Sequence, residues 1–289
     1  MKLLITGCNG QLGNELKVLA ENYTQHQFTF TDIEELDISN FDAIEKYLKK
    51  NIPDCIINCA AYTAVDKAEG EKEKAFLINS VAAKHLAELS TKFNALLLHI
   101  SSDYIFDGKS SKPYVETDSS NPKSLYGKTK LNGEVEIVFN AKKAIIIRTS
   151  WLYSSFGTNF VKTIIDKGKE KGELNVVSDQ IGTPTYARDL AKTILEIIPD
   201  YHPKNKTEIY HFSNEGVASW YDFAKEILQL ANIKCKVNPV ETKDYPTAAQ
   251  RPQYSLLNKT KIKKEFHIEI PYWKDSLKDC IRILIQKNG

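Results

Sequence analysis

The amino-acid sequence predicts an α/β protein with a doubly wound parallel sheet and a second, smaller lobe. Three observations support this prediction. Short apolar runs alternate with helical patterns through about residue 150, the runs are nearly continuous in Ile, Leu and Val, and a glycine-rich segment directly follows the first of them. Strands that are apolar on both faces are typical of a parallel sheet covered by helices on each side.

The elements of the larger part follow one another in this alternating order. Strands are predicted at KLLIT, QFTFT, DCIINCA, NALLLHISS and KAIIIRTS, because each run is short, apolar and bounded by polar or glycine-containing turns. The segment KAFLINSVAAKHLAELSTKF has apolar residues at helical spacing. Residues 1–150 are therefore predicted to form the first domain.

The alternation of short apolar runs and helical patterns is less regular in the second half of the chain. It indicates a strand at ELNVVSD, a helix near TYARDLAKTILEII, a strand near EIYHFS, a helix at WYDFAKEILQLA capped by Ser219, and a last helix from about Trp273. We predict that residues 151–184 and 208–289 form a discontinuous smaller lobe. Residues 185–207 are expected to pack back onto the first domain.

Composition narrows the functional class. The chain has 289 residues, 42% of them hydrophobic, and a formal net charge of +2, which is too small to indicate nucleic-acid or membrane binding. The 5 cysteines show no paired spacing, so reduced thiols are expected. The start MKLLITG lacks the features of a signal peptide and no apolar run is long enough to span a membrane, so we expect a cytoplasmic protein.

The glycine-rich segment predicts a dinucleotide site. In LLITGCNGQLGNEL, Gly7, Gly10 and Gly13 lie between the first strand and the first helix, with Gln11 and Leu12 among them. Backbone N–H groups and the positive end of the helix can then meet a diphosphate without interference from Cβ atoms. The alternative is a simple tight turn. The register favours a Rossmann-type dinucleotide-binding domain, with 151–184 and 208–289 as the substrate-binding lobe.

Other predicted cofactor contacts follow the next strands. Asp32 ends the second strand near the distance at which a carboxylate binds the adenosine ribose, which favours NADH over NADPH, although a turn residue is the alternative. The remaining predicted contacts are Asp37 and Ile38 near the adenine and Ala61, Tyr62 and Thr63 in the loop after the third strand. NADH or NADPH is the expected cofactor.

A hydroxyl, a phenol and an ammonium form the predicted catalytic set. Ser102 and Asp103 follow an apolar strand at its carboxyl end, where ligands bind in open parallel sheets. Tyr126 and Lys130 share one face of the next predicted helix. The three groups Ser102, Tyr126 and Lys130 would surround one carbonyl oxygen, and the lysine charge is expected to lower the pKa of the phenol.

The spacing Tyr-x-x-x-Lys is not decisive, because it recurs at Tyr221 and Lys225. With 14 Tyr and 39 Lys and Arg in the chain, such pairs arise by chance. The second pair has no strand-end hydroxyl just upstream. We therefore predict that Tyr221 and Lys225 are a surface or packing pair.

Longer segments carry a more specific resemblance. They are NCAAYTAVDKAE, SSDYIFDG, YVETD, NPKSLYGKTKLNGE, RTSWLY, NFVKT, SDQIGTPTYARDLA and YPTAAQRPQYSLLN. Together with the glycine motif and the Ser-Tyr-Lys set, they resemble the extended short-chain dehydrogenases/reductases and, among these, the dTDP-4-dehydrorhamnose reductase family. The segments cover nearly the whole chain in order.

The resemblance implies an activity and several further site residues. It implies reduction of a 4-keto-6-deoxy-hexose carried on thymidine diphosphate, the last step toward dTDP-L-rhamnose for a surface polysaccharide such as lipopolysaccharide. Ser102 and Asp103 are then expected to contact the sugar. Tyr126 and Lys130 are also expected to bind the cofactor, Lys130 through the nicotinamide ribose. The other implied substrate contacts are Trp151, Gln180 and Arg251, for which loop packing or a surface ion pair is the alternative.

Two positions depart from the family pattern. Ser102 stands where threonine is common, which keeps the hydroxyl but loses a methyl group. Arg188 falls where some relatives use an acidic residue to hold Mg²⁺ at a subunit contact, and a cation there would repel a metal. We therefore expect no requirement for Mg²⁺ or another metal.

Three other functions compete with the reductase. A 4,6-dehydratase would use an Asp-Glu pair after the strand-end hydroxyl, whereas Asp103 is followed by Tyr104. A 4-epimerase or another nucleotide-sugar reductase differs only in the family-level segments, and a non-catalytic dinucleotide-binding regulatory subunit need not keep the Ser-Tyr-Lys set. The expected partner is a small nucleotide-sugar, with a monomer or a homodimer as the state of assembly.

Overall fold

The computed structural model describes residues 1–201 and 206–288. Its strands are β1 (Lys2–Thr6), β2 (Gln27–Thr31), β3 (Cys55–Asn58), β4 (Leu96–Ser102), β5 (Ala144–Thr149), β6 (Leu152–Tyr153), β7 (Glu173–Val177), β8 (Ile181–Gly182), β9 (Thr185–Tyr186), β10 (Thr207–His211), β11 (Ala218–Ser219) and β12 (Lys236–Val240). Its α-helices are α1 (Gln11–Ala20), α2 (Phe41–Asn51), α3 (Val65–Ala68), α4 (Lys72–Phe76), α5 (Ala82–Lys92), α6 (Leu125–Asn140), α7 (Phe160–Glu170), α8 (Ala187–Asp200), α9 (Trp220–Leu230), α10 (Thr260–Phe266) and α11 (Trp273–Asn288). A π-helical turn over Leu77–Val81 joins α4 to α5.

Six strands form one parallel sheet in the order β10-β5-β4-β3-β1-β2. Alternate side chains enter opposite faces, so that Leu3 and Ile5 join one apolar core and Leu4 joins the other. The sheet winds outward in both directions from β1 and β3, which opens a crevice at the carboxyl ends of these strands. The predicted doubly wound, Rossmann-type sheet is confirmed.

Helices cover both faces of this sheet. Helices α1 and α8 pack together on one face, while α2, α5 and α6 supply apolar residues to the core on the other. The sequence assigned residues 185–207 to the first domain, and α8 of this segment lies on the sheet; residues 202–205 lie outside the described residues. Among those described, no helix is long and apolar enough to cross a membrane.

One predicted boundary is wrong. Residues 208–211 were assigned to the smaller lobe, but they belong to β10, which pairs with β5 over Thr207–His211. Strand β5 is buried along its whole length, and β10 supplies backbone partners for an edge that would otherwise be left unpaired. Helix α10 also lies in the range predicted for the smaller lobe, but its Ile262 is buried in the apolar core on one face of the six-stranded sheet.

The remaining chain has a core of its own. Helices α7, α9 and α11 pack around Val161, Phe223 and Leu277, beside the parallel pair of β7 and β12. The start of α9 is a capping box in which Ser219 and Asp222 bond each other's backbone N–H groups, and this confirms Ser219 as the cap. The division into a cofactor domain and a substrate lobe stays a prediction.

Candidate active site

A cavity of about 730 Å³ opens at the carboxyl ends of the central strands. Its walls come from both parts of the chain. The predicted site residues that line it are Gly7, Gly10, Gln11, Leu12, Gly13, Asp32, Asp37, Ile38, Ala61, Thr63, Ser102, Asp103, Tyr126, Lys130 and Trp151. Three predicted residues, Tyr62, Gln180 and Arg251, are not part of its lining.

The glycine-rich turn has the shape of a diphosphate cradle. Gly7 has a φ of +66°, and a Cβ there would lie 2.6 Å from the backbone of Ala60. A Cβ on Gly13 would lie 2.5 Å from the carbonyl oxygen of Gly7. Helix α1 begins after Gly10, and no side chain caps it. The first N–H groups of this helix, which lines the cavity at this end, therefore remain available to a ligand. These residues therefore fit a dinucleotide.

Asp32 lies at the rim of the cradle, at the end of β2. Its Oδ2 accepts a hydrogen bond from the N–H of Asn9 at 2.7 Å, and its Oδ1 accepts one from the N–H of Ile33 at 2.8 Å. Lys17 donates to Oδ1 of Asn9 at 2.9 Å. The carboxylate therefore also holds the glycine-rich turn in place, with an ammonium close to the same turn.

Local structure places Tyr126 at the start of α6. Ser124 caps this helix by accepting the N–H of Gly127 at 3.1 Å. A Cβ on Gly127 would lie 2.2 Å from the carbonyl oxygen of Tyr104, so only glycine lets the helix start this close to the end of β4. Tyr126 is thereby held beside Ser102, whose hydroxyl is its hydrogen-bond partner.

Burial shifts the pKa values of two residues in the predicted catalytic set, Tyr126 and Lys130. It raises the pKa of Tyr126 to about 12, against the opposing effect of the Ser102 hydrogen bond. It lowers the pKa of Lys130 to about 8, against the opposing charge of Glu134. The phenol is therefore protonated near neutral pH, contrary to the expectation of a lowered pKa, because the effect of burial outweighs that of the Ser102 hydrogen bond. Nζ of Lys130 donates to the carbonyl oxygen of Ile100 at 2.6 Å and lies 3.3 Å from Nε2 of His99.

Comparison with known proteins identifies the family. Residues 1–285 match the family described as the RmlD substrate binding domain. The chain belongs to this RmlD family. It is 42% identical to the dTDP-4-dehydrorhamnose reductase of Aggregatibacter actinomycetemcomitans over 287 residues, 96% of this chain and 97% of the relative. The predicted resemblance is therefore confirmed.

Solved structures agree with the sequence match. A dTDP-4-dehydrorhamnose reductase from Clostridium acetobutylicum superposes with a TM-score of 0.93 and 42% identity, covering 99% of this chain and 100% of its own. A reductase of the same name from Bacillus anthracis, in complex with NADP, has a TM-score of 0.92 and 39% identity, covering 98% and 99%. This RmlD-family protein is accordingly an oxidoreductase of the NAD(P)H-dependent type.

Asp103 is a buried carboxyl in the site of this RmlD-family protein. Its Oδ1 accepts a hydrogen bond from the Ser102 hydroxyl at 2.9 Å, and the nearby Ser255 hydroxyl also favours the charged form. Its Oδ2 has no hydrogen-bond partner among the residues that the structure describes. Burial raises the pKa of Asp103 to about 6 despite these hydrogen bonds. An unpaired buried carboxylate oxygen at a cavity wall is suited to accept a hydrogen bond from a ligand hydroxyl.

Sequence reasoning missed a stacked tryptophan pair. Trp151 and Trp220 both line the cavity, with ring centroids 3.6 Å apart and planes at 8°. Trp151 has a left-handed φ of 47°, and a Cβ on Gly182 would lie 2.6 Å from its ring. Trp220 starts α9 directly after the predicted cap, and the sequence indicates only a helix boundary at this position. The pair forms a flat aromatic wall from the smaller lobe.

The loop before α7 also lines the cavity and contacts α1, which the sequence did not predict. Asn159 lines the cavity, caps α7 and donates to Oε1 of Gln11 at 3.0 Å. Gly157 of the same loop has a φ of +63°, and a Cβ there would lie 3.2 Å from the side chain of Gln11. The sequence signal was the glycine before Asn159, which marks a turn that only a left-handed backbone can make.

The three predicted residues outside the cavity have packing roles in this structure. The backbone of Tyr62 exchanges two hydrogen bonds with the side chain of Asn79. Gln180 is buried and donates to Oγ1 of Thr242 at 3.1 Å. Arg251 pairs with Asp66 at the cavity rim, next to the lining residue Val65.

Arg188 forms an internal ion pair. Its Nε donates to Oε2 of the fully buried Glu15 at 2.8 Å, and Ser154 donates to the other carboxylate oxygen at 2.6 Å. Both oxygens of Glu15 are thus occupied by side chains of this chain. Among residues 1–201 and 206–288, no group of three His, Cys, Asp or Glu residues is placed to hold a metal ion.

Proposed function

We propose that this protein reduces the 4-keto group of dTDP-4-dehydro-L-rhamnose to give dTDP-L-rhamnose, using NADPH or NADH. The observation that carries the proposal is the shared cavity. Its lining includes the glycine cradle, the set Ser102, Tyr126 and Lys130, and the stacked pair Trp151 and Trp220. The family match over residues 1–285 supports the reaction class.

The cofactor would be held by the glycine-rich turn and Asp32. The N-terminus of α1 would receive the diphosphate, because Gly7 and Gly13 leave the backbone open there. Lys130 is buried and lines the same cavity, and it would bind the nicotinamide ribose there. When bound, the reduced nicotinamide supplies the hydride.

Tyr126 would act as the general acid. As the sugar carbonyl is reduced, negative charge develops on its oxygen, and a protonated phenol can supply both a hydrogen bond and a proton. The raised pKa of Tyr126 keeps that proton in place until the charge appears. Ser102 would orient the same oxygen through its hydroxyl. Lys130 would stabilise the phenolate that remains after proton transfer.

Residues from both parts of the chain would recognise the nucleotide-sugar. Asp103 has a free carboxylate oxygen for a sugar hydroxyl, and Trp151 and Trp220 offer an aromatic surface. Arg251 would bind the diphosphate at the rim, once released from Asp66. The product would serve the assembly of a surface polysaccharide, and the enzyme would work in the cytoplasm.

A dehydratase is the least favoured rival. It needs an additional acid and base after Ser102, but the position after Asp103 is Tyr104, whose ring packs edge-on against Tyr126 with centroids 5.4 Å apart. Burial also raises the pKa of Tyr104, so this phenol cannot replace a carboxylate base near neutral pH. A 4-epimerase would retain NAD⁺ through turnover, which the assay below detects.

The proposal is tested by mixing purified protein with the keto-sugar nucleotide and either reduced cofactor. We expect cofactor oxidation in proportion to sugar reduced, with dTDP-L-rhamnose identified by NMR. The free keto-sugar is the control, and it should be a very poor substrate because remote nucleotide binding positions the carbonyl. Sugar conversion without cofactor oxidation would indicate an epimerase, and no conversion would exclude the proposal.

A further inference from the structure

His99 lies beneath the catalytic set, with 1% of its surface exposed. It belongs to β4, the strand that ends at Ser102. Both ring nitrogens contact polar side chains: Nδ1 is 3.0 Å from Nδ2 of Asn58, and Nε2 is 3.3 Å from Nζ of Lys130. The reaction proposed above assigns this histidine no part, yet it touches the catalytic lysine.

The neighbours of Asn58 determine which nitrogen of His99 carries hydrogen. Oδ1 of Asn58 accepts from the hydroxyl of Thr6 at 2.7 Å and from the N–H of Ala60 at 3.2 Å. A flipped amide would set its NH₂ group against the N–H of Ala60, donor to donor. The NH₂ group therefore faces His99, and Nδ1 must accept its hydrogen bond. A neutral imidazole then carries its hydrogen on Nε2.

An Nε2–H group discriminates between the two forms of Lys130. The ammonium has three donors and no acceptor, so it opposes the Nε2–H. The neutral amine has a lone pair that can accept from it, while still donating to the carbonyl oxygen of Ile100. The contact at 3.3 Å is therefore favourable only when Lys130 has lost a proton.

We propose that His99 is a positioning residue that acts through Lys130: held as the Nε2–H tautomer by Asn58, it stabilises the neutral lysine amine that forms when the lysine proton passes to Tyr126. The inference rests on the proposed reductase function. It assigns a step to a residue that touches neither substrate nor reacting carbonyl.

The protons balance over one turnover. The O–H bond of Tyr126 breaks as its proton passes to the oxygen of the reduced sugar, leaving a phenolate. The phenolate then takes up a proton that Nζ of Lys130 releases into the cavity that both residues line, and the resulting lone pair on Nζ accepts the Nε2–H of His99. A proton from solvent entering the cavity restores the ammonium. No electrons move among these groups.

The surrounding charges are consistent with a lysine that can lose its proton. Glu134, one turn along α6, favours the ammonium, but its carboxylate is paired with Arg148 of β5 at 2.7 Å. Asp103 and Tyr126 are the other titratable groups beside the site, and both bond Ser102. Burial and the lysine charge lower the pKa of His99, which keeps its ring neutral.

The first test is the tautomer itself. In ¹⁵N-histidine-labelled protein, the long-range ¹⁵N–¹H correlation spectrum separates the two neutral tautomers from the imidazolium, and His99→Gln identifies the signals that belong to His99. We expect the Nε2–H pattern at pH 7. An Nδ1–H pattern or an imidazolium would overturn the proposal. This readout does not depend on activity, so it stands even if the reductase assay fails.

The second test is the pH profile of kcat in His99→Gln. The glutamine carbonyl can accept from both Asn58 and the ammonium, so Lys130 should hold its proton to higher pH. The alkaline limb of the kcat profile should shift to higher pH by at least about half a unit, and kcat at pH 7 should fall about threefold or more. His211→Gln is the control for loss of a buried histidine, and its limb should stay in place. An unmoved limb in His99→Gln would overturn the proposal.

Discussion

Arg251 and Asp66 form a bidentate ion pair across the rim of the cavity, with nitrogen–oxygen distances of 2.6 and 3.1 Å. Asp66 also accepts the N–H of Ala249 at 3.0 Å, so one carboxylate holds the loop that carries the arginine. The guanidinium lowers the pKa of Asp66 and keeps it charged. A substrate diphosphate that binds Arg251 must compete with this carboxylate.

The competition predicts opposite effects of two substitutions. Arg251→Ala should raise KM for the nucleotide-sugar about 10- to 100-fold, because a charge-assisted bidentate contact is worth roughly 1.5 to 3 kcal/mol. Asp66→Asn should lower KM, since the arginine loses its competitor. Steady-state kinetics measure both, with the exposed Arg282→Ala as control. A raised KM in Asp66→Asn would show instead that the carboxylate is needed only to anchor the loop.

The two Tyr-x-x-x-Lys pairs should respond differently to loss of a hydroxyl. Tyr126→Phe should lower kcat by about 10² to 10⁴, the usual contribution of general acid catalysis, while folding and cofactor binding remain nearly unchanged. Tyr221→Phe should change kcat less than about threefold, because Lys225 lies over its ring at 5.6 Å and neither residue lines the cavity. Circular dichroism checks folding. Equal losses in both variants would contradict the assignment of Tyr126.

Asp103 should make stability depend on pH. Its pKa is raised to about 6 in the folded protein, so the folded state holds this proton more tightly than the unfolded state does. Its contribution to stability is therefore largest in acid and is lost as pH rises from about 4 to about 6. Asp103→Asn removes the ionisation and should stabilise the protein at pH 8 by up to about 3 kcal/mol, with lower activity.

Urea unfolding at pH 5 and pH 8 measures this effect. The stability gained by Asp103→Asn should be clearly smaller at pH 5 than at pH 8. Glu116→Gln is a suitable comparison, because burial also raises the pKa of Glu116, yet this residue does not line the cavity and activity should be retained. A gain in Asp103→Asn that is the same at both pH values would mean that burial of the charge is not its source.

The choice of cofactor should depend on the charges around the glycine-rich turn. Asp32→Ala removes a carboxylate that repels a 2′-phosphate, and it should raise the kcat/KM ratio of NADPH to NADH. Lys17→Ala should change that ratio in the opposite direction, since its ammonium lies 2.9 Å from Asn9, the residue that Asp32 also binds. If neither variant moves the ratio, these charges do not face the adenosine ribose.

Features that depend on neighbouring residues in the chain could be predicted from the sequence. The order of strands and helices, the glycine turn at Gly7 and the cap at Ser219 follow from apolar periodicity and from local backbone requirements. The strand-end position of Ser102 and the helical spacing of Tyr126 and Lys130 were also readable, because each depends on one element.

Contacts between distant segments were decided only by the tertiary structure. β10 joins the sheet because β5 has a free edge, which its own sequence does not show. Arg251 meets Asp66 through the packing of the smaller lobe on the larger, and Trp220 stacks on Trp151 because the start of α9 lies against the turn after β5. The pairing of His99 with Lys130 likewise requires β4 and α6 to lie together. Such contacts depend on how whole elements pack, and no local pattern of residue types specifies which two side chains then meet.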